Sequence, residues 1–81
     1  DWILRIDGHT DKIPINNEKF ESNWHLSSSR SINIVKFFIE QGISPNRLIA
    51  AGFGEYSPLV LDESEQAYKK NRRIEIKLTT R

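Results

Sequence analysis

Three short polar signatures in this chain of 81 residues contain side chains that could recognise a small charged ligand. They are Gly8-His9-Thr10-Asp11, then Asn23 with Leu26-Ser27 and Arg30, then Asn71-Arg72-Arg73. The arginine fork recognises a carboxylate through two parallel hydrogen bonds, and a carboxylate such as that of aspartate accepts from an ammonium group. A ligand with an ammonium and a carboxylate on one carbon would need both partners. The signatures therefore favour binding of a small zwitterion.

The two charged candidates also have structural interpretations. Asp11 follows the glycine that ends an alternating apolar segment, where an aspartate often accepts a hydrogen bond from its own backbone. Arg30 falls about two turns into a helical pattern, in line with its apolar stripe, where it could snorkel or form an ion pair instead of clamping a ligand. The sequence leaves both alternatives open.

A metal site and a nucleophile are the competing interpretations of the polar residues. His9 and His25, with Asp11, lack the close helical pairing of zinc ligands, and a fourth ligand is not apparent. None of the serines at 27–29 lies in a Gly-x-Ser-x-Gly turn. We therefore predict no metal, no cofactor and no enzymatic activity, and keep a metal-dependent hydrolase as the weakest alternative.

The composition describes one ordinary globular domain. Hydrophobic residues make up 37% and charged residues 28%, and there is no cysteine for a disulfide scaffold. No apolar run approaches the roughly 18–20 residues of a membrane span. The net charge of +1 argues against a dedicated nucleic-acid binder. The basic segment from Lys69 to Arg73 nevertheless keeps a nucleic-acid-binding α/β module as the main rival function.

Hydrophobic periodicity predicts the elements that position these side chains. Alternation from Trp2 to Asp7 indicates a half-buried strand that Gly8 ends, and a long loop follows from His9 to Ser22. A helix begins at Ser22 or Asn23, turns one face to a core (Ser31, Ile34, Val35, Phe38) and stops at Gly42.

The second half of the chain supplies two further strands and a short helix. Residues 48–53 indicate a buried strand, residues from about 63 to 70 a short helix, and residues 73–79 a strand with alternating apolar and polar faces. This inventory predicts an α/β (α+β) two-layer sandwich, with helices on one face of a small mixed sheet. Because three strands leave open edges, we expect a further strand and helix before Asp1.

Taken together, the signatures resemble the OmpA-like peptidoglycan-binding domain, and most closely its MotB-type branch. The family pattern is Gly-His-Thr-Asp, Asn-x-x-Leu-Ser-x-x-Arg, Gly-x-Gly-Glu-x-x-Pro and Asn-Arg-Arg-hydrophobic-Glu-hydrophobic. In this chain the four motifs begin at Gly8, Asn23, Gly52 and Asn71, in that order. The stretches 11–15 and 20–24 are similar to the flagellar-stator variety. One departure is Ser31, where the family usually has alanine after the helix arginine.

The resemblance implies that residues 1–81 are one N-terminally truncated domain that anchors a larger protein to the cell wall without catalysis. It implies binding to the diaminopimelate of the peptidoglycan stem peptide, with Asp11 on the ligand ammonium and Arg30 on its carboxylate. Thr10, Asn23 and Leu26 would line the pocket, and Asn71, Arg72 and Arg73 would border it. The expected setting is the periplasm, in a membrane-anchored parent, with a homodimer as a possible state and no nucleic acid as partner.

Overall fold

A computed structural model of the chain describes residues 1–80 and places a three-stranded sheet at its centre. The strands are β1 (Trp2–His9), β2 (Leu48–Gly52) and β3 (Arg73–Thr80). Their order is β2-β1-β3, with β2 parallel and β3 antiparallel to the central β1. The predicted small mixed sheet is confirmed.

Two helices connect the strands, at the places that the periodicity predicts. Helix α1 (Asn23–Glu40) joins β1 to β2, and α2 (Glu65–Asn71) precedes β3. Ser22 caps α1 by accepting a hydrogen bond from the His25 amide. Gly42 has φ of +100°, the left-handed backbone that favours glycine just past a helix end. One 3₁₀ turn, Pro45–Arg47, leads into β2.

Gly8 lies inside β1, so the prediction that it ends the strand is wrong. It is paired with Gly52 on one side and Ile74 on the other. A Cβ atom on Gly8 would lie 2.3 Å from the Ser27 carbonyl oxygen of α1. The glycine is therefore a contact point between the helix backbone and the sheet, which is a common reason for glycine within a strand.

Helix α1 packs over β1 and β2 and leaves the neighbouring part of the sheet open. Ile6 of β1, on the same face of the strand as Gly8, is fully buried. Ile76 and Leu78 of β3 lie on the helix-bearing face, but their exposed fractions are 54% and 71%. The predicted two-layer arrangement is confirmed, and the helix layer covers mainly the half of the sheet formed by β1 and β2. Neither helix within residues 1–80 has the length and apolar character needed to cross a lipid bilayer.

Candidate functional site

The loop that follows β1 is held in place by backbone and side-chain hydrogen bonds of Thr10 and Asp11. The Thr10 amide donates to the Gly54 carbonyl oxygen at 2.9 Å, and the Thr10 hydroxyl donates to the Asp11 carbonyl oxygen at 2.8 Å. Asp11 Oδ1 accepts from the Ile13 amide at 3.0 Å. Asp11 therefore has the turn-stabilising contact of the structural interpretation, and its second carboxylate oxygen is left for other partners.

Asn23, the first residue of α1, ties this loop to the helix. Its Nδ2 donates to the Ile13 carbonyl oxygen at 3.1 Å and lies 3.3 Å from both the Asp11 carbonyl oxygen and Glu55 Oε1. The side chain is buried. Leu26 and Arg30 follow at three and seven residues, so they lie on the same side of the helix as Asn23.

These segments enclose a cavity of about 220 Å³. It is lined by six of the predicted residues, Thr10, Asp11, Asn23, Leu26, Arg30 and Arg72, and by Ile13, Pro14 and Ile15. The volume is below the roughly 300–1,000 Å³ of sites that hold a whole drug-sized ligand. The cavity therefore suits the end of a ligand. That these residues bind a ligand stays a prediction.

Asp11 and Arg72 form an ion pair at the edge of the cavity. Arg72 Nη1 lies 2.7 Å from Asp11 Oδ2, and Nη2 lies 2.7 Å from Glu65 Oε1. The hydrogen bonds to Glu65 and to Asp11 raise the pKa of Arg72 above its usual value. Each Asp11 oxygen thus accepts one hydrogen bond, and a carboxylate has about four acceptor sites. Capacity for a ligand ammonium is left.

Arg30 is exposed at the cavity mouth, so its expected place in the buried stripe of α1 is wrong. The buried positions of the helix are Asn23, Ser27 and Ser31. Within residues 1–80, no side chain forms an ion pair or hydrogen bond with the Arg30 guanidinium. A fully charged fork with five N–H donors therefore lines the cavity without a protein partner.

Asn71 and Arg73, predicted to border the site, do not line this cavity. The Asn71 side chain accepts from the amides of Leu59 and Val60 at 2.9 and 3.1 Å, so it supports the loop before α2. Arg73 Nε lies 2.5 Å from Glu75 Oε2, on the sheet face that α1 does not cover. Only Arg72 of the third signature reaches the cavity, because Asn71 ends α2, Arg72 follows the helix and Arg73 begins β3, so the three side chains point in different directions.

A group of possible metal ligands lies on the sheet face opposite α1. Donor atoms of Asp7, His9 and Glu75 are within 4.8 Å of one another. Arg5 binds Asp7 at 2.8 Å and Arg73 binds Glu75, so both carboxylates already have cationic partners. Burial and the charge of Arg73 lower the pKa of His9. The three residues therefore form part of an ion-pair network. The guanidinium groups of Arg5 and Arg73 lie beside the position that a metal ion would occupy and would repel it.

Comparison with known proteins decides the family. The sequence profile of the OmpA family matches residues 2–72. The chain belongs to the OmpA family. This family is known for association with peptidoglycan, and its members include motility proteins and outer-membrane proteins.

Relatives of the MotB type are prominent among the similar proteins. The chain is 40% identical over 77 residues to Motility protein B of Bacillus subtilis, covering 94% of this chain and 30% of that protein. A solved MotB-like protein from Desulfovibrio vulgaris superposes with a TM-score of 0.87 and 38% identity, covering 95% of this chain and 48% of that one. The peptidoglycan-associated lipoprotein of Pseudomonas aeruginosa is 31% identical over 72 residues, 89% of this chain and 40% of that protein.

The apolar loop residues at the cavity were not among the predicted site residues. Ile13 has an exposed fraction of 49%, and Pro14 and Ile15 stand beside it in the lining. Two isoleucines on either side of a proline in an otherwise polar loop are a usable sequence signal, because adjacent apolar residues on a surface mark a binding site more often than single ones do.

Proposed function

We propose that this OmpA-family domain binds peptidoglycan non-covalently by holding the end of a diaminopimelate side chain in the cavity. One observation carries the proposal: the unpaired guanidinium of Arg30 lines the same small cavity as the Asp11 carboxylate. Two opposite charges in the lining of one small cavity match a ligand carbon that bears both a carboxylate and an ammonium group.

Each protein group has a distinct part in this proposal. Arg30 binds the ligand carboxylate, and the free acceptor sites of Asp11 receive the ammonium. Arg72 orients the Asp11 carboxylate through its contact of 2.7 Å. The apolar loop residues and Leu26 cover the methylene groups of the ligand. None of these roles requires a bond to be made or broken, so the proposed activity is binding without catalysis.

The setting that fits this activity is the periplasm, with the domain tethering a membrane-anchored parent to the wall. The chain spans about 30% of the length of the MotB relatives, so the parent is proposed by analogy with them. The rival nucleic-acid function is weakened by the ion pairs of Arg72 and Arg73, which occupy the two arginines of the basic segment. Among residues 1–80, the ion pairs of the segment leave its two lysines, at 69 and 70, without an acidic partner.

Paired stem peptides test the proposal. A peptide with lysine in place of diaminopimelate has the ammonium but lacks the carboxylate, so Arg30 gains no partner. We expect the lysine peptide to bind at least about tenfold more weakly in NMR titration, the equivalent of about 1.4 kcal/mol. The Arg30→Ala variant should bind both peptides with similar affinity. Equal affinities in the wild-type chain would show that the carboxylate is not recognised.

A further inference from the structure

Strand β3 has an open outer edge. It pairs with β1 along all eight of its residues, and within residues 1–80 no strand pairs with its other side. An edge strand offers a row of unpaired backbone N–H and C=O groups to another chain, and natural proteins usually keep such edges short, bulged or covered. An uncovered edge of this length is therefore a candidate surface for the addition of a strand.

The apolar side chains of β3 are exposed beside this edge. Ile76 and Leu78 lie on the helix-bearing face of the sheet, and each is more than half exposed. Neighbouring apolar side chains on a surface mark interaction sites more often than single ones do. A strand added at the edge would supply backbone partners and would also place its own side chains against these two residues.

The opposite face of β3 carries two charges of opposite sign, two residues apart. Lys77 Nζ lies 3.5 Å from Glu75 Oε1, and Glu75 Oε2 is bound to Arg73. A carboxylate has about four acceptor sites, so Glu75 has capacity for a further cation at the open edge. Antiparallel pairing reverses the order of residues, so the sequence glutamate-x-lysine is complementary in charge to a second copy of itself.

One register of two antiparallel β3 strands satisfies both faces. With Ile76 opposite itself on a two-fold axis, Glu75 of each copy faces Lys77 of the other, and Ile74 faces Leu78. Centring the pair on Glu75 or on Lys77 places like charges opposite each other. A shift by one residue places apolar side chains opposite polar ones. Registers centred on Ile74 or Leu78 pair fewer residues of the strand.

We infer that the open edge of β3 binds β3 of a second copy of this chain, antiparallel and centred on Ile76, so that the two sheets become one continuous sheet. The contact is isologous, because the same edge serves both copies. The strand that we expect before Asp1 is the rival occupant of this edge, and the matched charges of Glu75 and Lys77 favour the second copy. The inference does not depend on the proposed function, because no residue of β3 lines the cavity.

Sedimentation equilibrium of the 81-residue chain measures the pairing. One strand edge is a small interface, so we expect a weak dimer whose apparent mass rises from that of one chain toward that of two as the concentration approaches about 1 mM. A chain that stays monomeric over this range overturns the inference.

Charge reversal tests which residues face each other. Lys77→Glu places carboxylates opposite each other, and Glu75→Lys places ammonium groups opposite each other, so each variant alone should be monomeric. An equimolar mixture of the two should dimerise, because every facing pair is then opposite in charge. Lys69→Glu is the matched control, since it makes the same charge change at an exposed position of α2, and it should dimerise like the wild type. A mixture with no more dimer than either variant alone refutes the proposed contacts.

A cysteine substitution tests the register without reversing a charge, and it decides the question if Glu75→Lys fails to fold. The chain has no cysteine, so Ile76→Cys places two thiols opposite each other on the two-fold axis, close to the Cβ separation of a disulfide. Leu78→Cys is the matched control, because Leu78 is more exposed on the same face, but its two copies would be about 13 Å apart. Under mild oxidation Ile76→Cys should form a covalent dimer at least about tenfold faster than the control. Equal rates, or a faster control, would refute the register.

Discussion

Replacing Arg30 by alanine should separate binding from folding. The guanidinium is exposed and forms no ion pair or hydrogen bond within residues 1–80. Surface substitutions of this kind usually change the free energy of unfolding by less than about 0.5 kcal/mol. Alanine is also the most favourable residue for a helix interior. We therefore expect Arg30→Ala to have the circular dichroism spectrum and melting temperature of the wild-type chain.

The exposure of the Arg30 side chain determines how large the loss of binding should be. A fully desolvated charge pair that loses one partner costs about 2–5 kcal/mol, but Arg30 stands at the cavity mouth, where water reaches it. Hydrogen bonds to charged groups, about 1.5–3 kcal/mol, give the better measure. The expected reduction in affinity for the diaminopimelate peptide is therefore about 10- to 140-fold.

Co-sedimentation with purified sacculi and NMR titration with the peptide measure this effect. Lys70→Ala is the control, since it removes the same charge from an exposed helical site outside the cavity. It should bind like the wild type, and it also tests the rival basic segment. If Arg30→Ala sediments with sacculi as well as the control does, the guanidinium has no part in binding and the site assignment fails.

Three other substitutions test the site and the fold. Asp11→Asn keeps an oxygen for the backbone turn but removes the charge that faces Arg72, so peptide binding should weaken about as much as in the Arg30 variant; a loss of stability with unchanged binding would leave Asp11 a turn residue only. Burial lowers the pKa of His9 in the folded chain, so the unfolded chain takes up a proton first as the pH falls below about 6.5. Stability should decline below that pH in denaturant titrations, and more gently in His9→Gln; identical slopes would contradict the burial argument. Gly8→Ala places a Cβ 2.3 Å from the Ser27 carbonyl oxygen and should destabilise the chain by about 1–3 kcal/mol, lowering the melting temperature by at least about 4 °C; an unchanged melting temperature would show that α1 can shift away from the sheet.

The elements were predictable because their signals are local. Alternation in β1 and β3, a serine cap and the glycine after α1 each act within a few residues, and the structure has them where the sequence indicates. The place of Gly8 was not predictable, since its reason is the backbone of α1, about twenty residues later in the chain. A close contact between two segments that are far apart in the chain leaves no periodic pattern in the sequence.

The sequence predicted which residues line the cavity better than it predicted their exposure and their ion pairs. Asp11 and Arg30 do line one cavity, but the helical pattern could not show that nothing covers Arg30. The third signature divides three ways: Asn71 supports a loop, Arg72 reaches Asp11 and Arg73 joins Glu75. These directions depend on how the end of α2 meets β3, where backbone geometry changes within one residue.

The central position of β1 has a mechanical consequence. Asp11 lies two residues beyond the end of this strand, which pairs with β3 along all eight of its residues and with β2 through residues 4–8. A ligand that pulls on Asp11 along the strand loads both ladders in shear. Their hydrogen bonds run across the pulling direction and must break together rather than one after another. Forced detachment should therefore rupture the ligand contact before it extracts the strand.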